Sequence, residues 1–173
     1  MSESIRNARV WRLGADIDTD VLAPGAYMKH GLEVIGWHCL EAVRTDFASG
    51  MQSGDVIVAG RNFGIGSSRE QAAGVLRHLG VAAVIAPSFS GLYFRNAFNL
   101  GLLLLTCPRA NEVEEGQCID VLFEPGSDIP LVLTPKGERL PCAPIPGFLM
   151  DMVQAGGLLP LLKQQRRSAD HGR

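Results

Sequence analysis

The chain has 173 residues, 46% of them hydrophobic, which is enough to bury a sizeable core as a single domain spanning residues 1–173. Its formal charge is -2 and its only basic cluster is Lys163, Arg166 and Arg167 near the end, so nucleic-acid binding has little support. Four cysteines, Cys39, Cys107, Cys118 and Cys142, lie far apart with no CxxC pair and no clustered histidines, so neither a metal site nor a disulfide framework is signalled.

At the N-terminus, MSESIRNARVW lacks the apolar run of a signal peptide, and no apolar stretch anywhere approaches about 20 residues. A soluble, cytoplasmic protein with no membrane partner is expected. Val10 to Leu13 reads as a strand leading into the polar turn GADIDTD, Gly14 to Asp20, where Asp16 and Asp18 are expected to shape the turn through side-chain to backbone bonds. Val56 to Ala59 is a buried strand. Beyond a glycine-rich turn, Ala72, Val75, Leu76 and Leu79 recur at helical spacing, so a helix is expected from about Ser68 to Leu79, ended by Gly80 in the left-handed conformation. Val81 to Ala86 is a second strand, Ser88 to Leu100 a second helix with Leu92, Phe94, Phe98 and Leu100 partly buried, and Leu102 to Thr106 a third strand.

Together these segments predict an α/β fold with a β-α-β-α-β core. After Pro108 the pattern shortens to Cys118–Phe123 and Leu131–Thr134, separated by the turn signals EPGSD and PKGE, which reads as additional antiparallel strands. GFLMDMVQAGGLLPLLK is expected to be a helix stopped at Gly156 and Gly157 with an apolar stub packing back, and residues 165–173 a frayed tail.

The segment Asn62 to Glu70, NFGIGSSRE, carries the chemistry. Placed between a strand end and a helix start, its free N–H groups and the helix dipole favour an anion, and Gly64 and Gly66 keep side chains out of the way. It lacks the third glycine of a dinucleotide fingerprint and the Gly-Lys-Ser/Thr of a P-loop. Arg69 opposes the helix dipole there, which fits a planar fork holding a carboxylate in bidentate fashion. Ser67-x-x-Glu70 and Ser68-x-x-Gln71 also match capping boxes, which would only start the helix, and both roles can hold together.

A helix terminus contributes at most roughly 2 kcal/mol, too little to ionise a serine hydroxyl alone. His30, His38, His78 and His171 have no triad context and GxSxG is absent, so a serine-hydrolase reading fails. If Ser67 is a base, a strong electrostatic helper is expected from outside the chain.

Three ordered segments, LGADIDTDVLAPGAYM (13–28), GRNFGIGSSREQAA (60–73) and APSFSGLYFRNAFNLGLL (86–103), resemble the aconitase superfamily, in the form of its separate small subunit as found in isopropylmalate dehydratases. With the C-terminal GFLMDMVQAGGLLPLLK the resemblance covers nearly the whole chain. It implies a swivelling β/β/α domain that closes over a large subunit bearing a 4Fe-4S cluster, with no cofactor held by this chain. Carried over by motif, Ser67 matches the serine that removes and returns a proton beside a carboxylate, Ser68 and Arg69 the carboxylate ligands, and Asp20 a carboxylate lining the cleft with Asn62, Gly64 and Gly66.

The resemblance also assigns substrate choice to the loop GAYMKHG, Gly25 to Gly31, where Tyr27 and Lys29 stand as substrate-binding candidates. Relatives acting on isopropylmalate present apolar residues after the tyrosine, and relatives acting on homocitrate-type substrates an arginine two places after it. Lys29 at that place either meets a third carboxylate or turns its head to water. The implied reaction is interconversion of 2- and 3-isopropylmalate by loss and return of water, with homoaconitate or a substituted malate such as dimethylmalate as alternatives. A non-catalytic anion-binding module is the reading of another class, and self-association of the chain stays open.

Overall fold

The structure, a computed structural model, describes residues 3–170. Seven strands form one sheet in the order β4-β3-β2-β1-β5-β6-β7. The first four, β1 (Ile5–Arg12), β2 (Val56–Val58), β3 (Ala83–Ala86) and β4 (Leu104–Thr106), run parallel. The last three, β5 (Cys118–Leu122), β6 (Leu131–Leu133) and β7 (Arg139–Pro141), continue the sheet antiparallel from β1. The expected β-α-β-α-β core is present, flanked by β1 on one side. Every residue of β2 and β3 is buried, as continuous apolar strands between covered faces must be.

Between β1 and β2 lie three short helices that the sequence reading did not assign: α1 (Thr19–Leu22), α2 (Gly31–His38) and α3 (Phe47–Gly50). The crossover helices are α4 (Gln71–Leu79) and α5 (Gly91–Asn99). Gly80 ends α4 at φ 87, as expected. On α5, Phe94, Phe98 and Leu100 are partly or fully buried as expected, but Leu92 is exposed, and Tyr93 and Ala97 are buried as well. The two glycines end α6 (Gly147–Ala155), but the chain then forms α7 (Leu158–Asp170), so the tail expected to fray from residue 165 is helical through Asp170; residues 171–173 lie outside the described part.

Beneath the β1–β2 pair sits a polar anchor. Asp55, buried, accepts from Arg9 Nη2 at 2.6 Å, Trp11 Nε1 at 2.8 Å and the Gln52 N–H at 2.9 Å. Burial pushes its carboxyl up, but these donors outweigh burial and hold its pKa below the ordinary carboxylate value. Arg9 and Arg44 both lie over the Trp11 ring, 5.0 and 4.6 Å from its centroid.

Candidate active site

The loops leaving the carboxyl ends of β1, β2 and β3 carry the site, where open parallel sheets place ligands. They are zipped together by backbone bonds that prolong the sheet. Asp16 N donates to Arg61 O at 2.9 Å, Gly64 N to Ile17 O at 2.7 Å, Thr19 N to Ile65 O at 2.8 Å, and Phe63 N to Ser88 O at 3.1 Å. The serine loop is therefore held by two neighbouring loops before α4 begins.

This pinning changes the reading of the motif. The helix starts at Gln71 with Glu70 as its cap and no capping side-chain bond, so neither capping box forms. Ser67 Oγ instead accepts from Arg69 Nε at 2.9 Å, and Thr19 Oγ1 stands 3.4 Å from it. Arg69 Nη1 donates to Asp20 Oδ1 at 3.1 Å and to Ala23 O at 2.8 Å. The fork expected to be free for a carboxylate is thus held by Ser67, Asp20 and a carbonyl. The electrostatic helper expected only from elsewhere has a counterpart within the chain, a guanidinium N–H on the serine oxygen itself.

Ser67, Arg69 and Asp20 are brought together, with Ser67 and Ser68 exposed and Arg69 half-buried. Ser68 is fixed through its carbonyl, which accepts from Asn96 Nδ2 at 3.1 Å. Asn62 lies in a left-handed conformation at φ 59, a conformation asparagine tolerates, and ties loops together: its N–H donates to Ser88 Oγ and its Nδ2 to Asp16 Oδ1, both at 2.9 Å. Gly66 is exposed at φ 104, but Gly64 is buried. An added Cβ at Gly64 would meet Tyr93 Cγ at 2.1 Å, so this glycine serves close packing rather than an opening for ligand. Asp18 caps α1 by accepting from Val21 N at 2.8 Å, as expected of a turn former.

Tyr27 belongs to the helical turn Gly25–Tyr27 and stacks on His38. Lys29 is exposed and, among the described residues, makes no ion pair. Thr19 and Asn96 were not singled out from sequence. Thr19 could have been, as the middle residue of the Asp18-Thr19-Asp20 run, whereas Asn96 shows no signal beyond being polar on the buried side of an apolar helix.

Cys39, Cys107 and Cys142 are buried and Cys118 is exposed on β5. Among the described residues no group of three or more His, Cys, Asp or Glu is placed to hold a metal. The donors among the described residues form no set that fits an iron-sulfur cluster.

This arrangement falls in the aconitase class: residues 42–110 match the family described as Aconitase C-terminal domain. The chain is 41% identical to 3-isopropylmalate dehydratase small subunit 1 of Archaeoglobus fulgidus over 162 residues, 93% of this chain and 99% of that protein. It is 41% identical to the protein of the same name from Methanopyrus kandleri over 174 residues, covering 99% of this chain and all of the other. A crystal structure of 3-isopropylmalate dehydratase from Methanocaldococcus jannaschii superposes with a TM-score of 0.89 at 31% identity, over 99% of this chain and 100% of that one. The chain belongs to the family of 3-isopropylmalate dehydratase small subunits.

Proposed function

We propose that this chain is the small subunit of a heteromeric hydro-lyase that interconverts 2-isopropylmalate and 3-isopropylmalate, a step of leucine biosynthesis, and that it supplies the proton-transferring serine. The carrying observation is the Arg69 Nε–H on Ser67 Oγ, with Arg69 itself anchored by Asp20 and the Ala23 carbonyl. A hydrogen bond from a charged donor is worth about 1.5–3 kcal/mol and favours the ionised oxygen, so Ser67 is the one hydroxyl of the loop prepared to act as a base.

In this reading Ser67 removes the proton from the carbon beside a substrate carboxylate as hydroxide leaves the neighbouring carbon; in the return step hydroxide adds to the first carbon and Ser67 gives its proton to the second. Ser68 and Arg69 hold that carboxylate. Negative charge that builds on it during abstraction is stabilised by the guanidinium, which needs only its unshared N–H groups to do so. Asp20 keeps Arg69 aligned.

The partner is a large subunit that closes over the exposed serine loop. A 4Fe-4S cluster held by that subunit would supply the Lewis acid for the departing hydroxyl. The compartment is the cytoplasm, and among the described residues no helix is long and apolar enough to cross a membrane.

The substrate loop is Gly25–Gly31. Isopropylmalate is placed first because the relatives carry that name. The ammonium of Lys29, exposed and without an ion pair among the described residues, keeps tricarboxylates such as homoaconitate as the second reading.

The test is Ser67→Ala in a chain reconstituted with its large subunit: turnover is abolished while the urea midpoint of the isolated chain stays near wild type. Retention of most of the activity would assign the proton transfer to another residue.

A further inference from the structure

The loop Gly25–Gly31 is fixed at its start to the reaction residues. Asp20 Oδ1 accepts from both Arg69 Nη1 and the Gly25 N–H, each at 3.1 Å, and Ala23 O accepts from Arg69. Local turn bonds shape the middle: Tyr27 N donates to Pro24 O at 3.0 Å and His30 N to Tyr27 O at 2.9 Å. Such bonds set the curvature of a loop but not the direction in which the turn leans.

Beyond the packing of Tyr27 and Met28 on the core, that direction has an aromatic support. The Tyr27 ring lies flat on the imidazole of His38, with ring centroids 3.6 Å apart and planes 6° from parallel. His38 is the last residue of α2, so its backbone is set by a helix that packs on α4. Its ring is turned by Glu41, whose Oε2 is 2.7 Å from His38 Nδ1. Two flat groups, one on a helix and one on the loop, thus meet over their full faces while a carboxylate fixes the angle of the lower one.

We infer that His38, oriented by Glu41, is the positioning residue of the substrate loop: it carries Tyr27 and thereby sets where Lys29, two residues on, meets the substrate. This rests on the reading of Gly25–Gly31 as the loop that selects substrate. His38 takes no part in proton transfer and touches no reacting atom. Its contribution is a narrower range of loop positions, which is felt in binding and not in the chemical step. Phenylalanine at this place keeps a flat stacking face and loses only the bond to Glu41, whereas alanine loses both.

The experiment compares His38→Ala, His38→Phe and Glu41→Gln in chains reconstituted with the large subunit, assayed on isopropylmalate and on homoaconitate. Alongside, hydrogen exchange is followed at residues 25–30 in the full isolated chain. In His38→Ala, exchange at Tyr27 to His30 accelerates and KM rises roughly three- to tenfold, the range a lost aromatic stack allows, with kcat within about twofold. The preference between the two substrates changes as well. His38→Phe recovers most of the KM, and Glu41→Gln shows a smaller effect of the same kind.

Unchanged exchange in His38→Ala overturns the support itself. Accelerated exchange with unchanged KM and unchanged preference leaves the support in place but removes substrate selection from this loop, which overturns the positioning role together with the reading beneath it. A fall in kcat with KM unchanged also overturns the inference, since it would put His38 in the chemical step.

Discussion

Gly64→Ala is expected to destabilise the chain by roughly 2–5 kcal/mol, and the reasons are separable. Gly64 sits at φ 82, where a residue with a Cβ loses roughly 1–2 kcal/mol. That Cβ would also lie 2.1 Å from Tyr93 Cγ and 2.6 Å from Cδ1. Tyr93 has little room to yield: it is buried, its hydroxyl donates to Ala72 O at 3.1 Å, and its ring meets Phe63 edge-on at 5.4 Å. Overpacking of this kind costs roughly 1–3 kcal/mol more. Against a total stability of about 5–15 kcal/mol the sum is large. Urea unfolding of the isolated chain measures it, with Gly66→Ala as the internal control. Gly66 also has positive φ, 104, but its added Cβ would need only a few tenths of an ångström of yield from Thr19 Oγ1 at 3.1 Å, so little beyond the backbone cost of roughly 1–2 kcal/mol is expected. Equal losses for the two substitutions, or a loss below about 1 kcal/mol at Gly64, would refute the assignment of this glycine to packing against Tyr93.

Arg69→Lys keeps the charge but removes the N–H on Ser67 Oγ and the fork geometry; kcat of the reconstituted enzyme is expected to fall roughly 100- to 1,000-fold, the cost of removing one preorganised donor. Lys29→Val is expected to lower kcat/KM for a tricarboxylate selectively if the ammonium meets a third carboxylate; parallel assays on isopropylmalate and homoaconitate decide, and equal effects would leave Lys29 facing water. Asp55 has a lower pKa folded than unfolded, so its stabilisation is complete above about pH 3.9 and is lost as pH falls through the folded value. Asp55→Asn should cost about 1–3 kcal/mol at neutral pH and flatten the acid limb of the stability profile, followed by urea midpoints across that range.

The parallel core was legible because β2 and β3 are short apolar runs joined by helices of clear 3.6-residue period, with Gly80 and Gly156 where a left-handed turn ends a helix. The stretch from residue 19 to 50 was not, because α1 and α3 are single turns and the apolar residues of α2 run without a polar face to set a period. At the site, the serine-arginine run was legible as a cluster, and the structure brings Ser67 and Arg69 together with Asp20. What could not be read locally is that Arg69 turns back to Asp20, 49 positions earlier in the chain, and that Ser67 is drawn out of any capping role by that same arginine. The capping signature is a local pattern, and here the backbone bridges from Ile17 and Ser88 delay the helix until Gln71. Gly64 shows the same limit in reverse, since the ring that demands a glycine comes from α5.

The order of the strands leaves β4 and β7 as the two borders of the sheet, yet their ends meet: the Ala143 N–H, two residues past β7, donates at 2.7 Å to the carbonyl of Thr106, the last residue of β4. A border strand with unpaired amides is a template on which a second chain can add itself, and short borders that converge on one another offer little length for such growth. The shape that closes the fold thus also discourages strand-by-strand polymerisation.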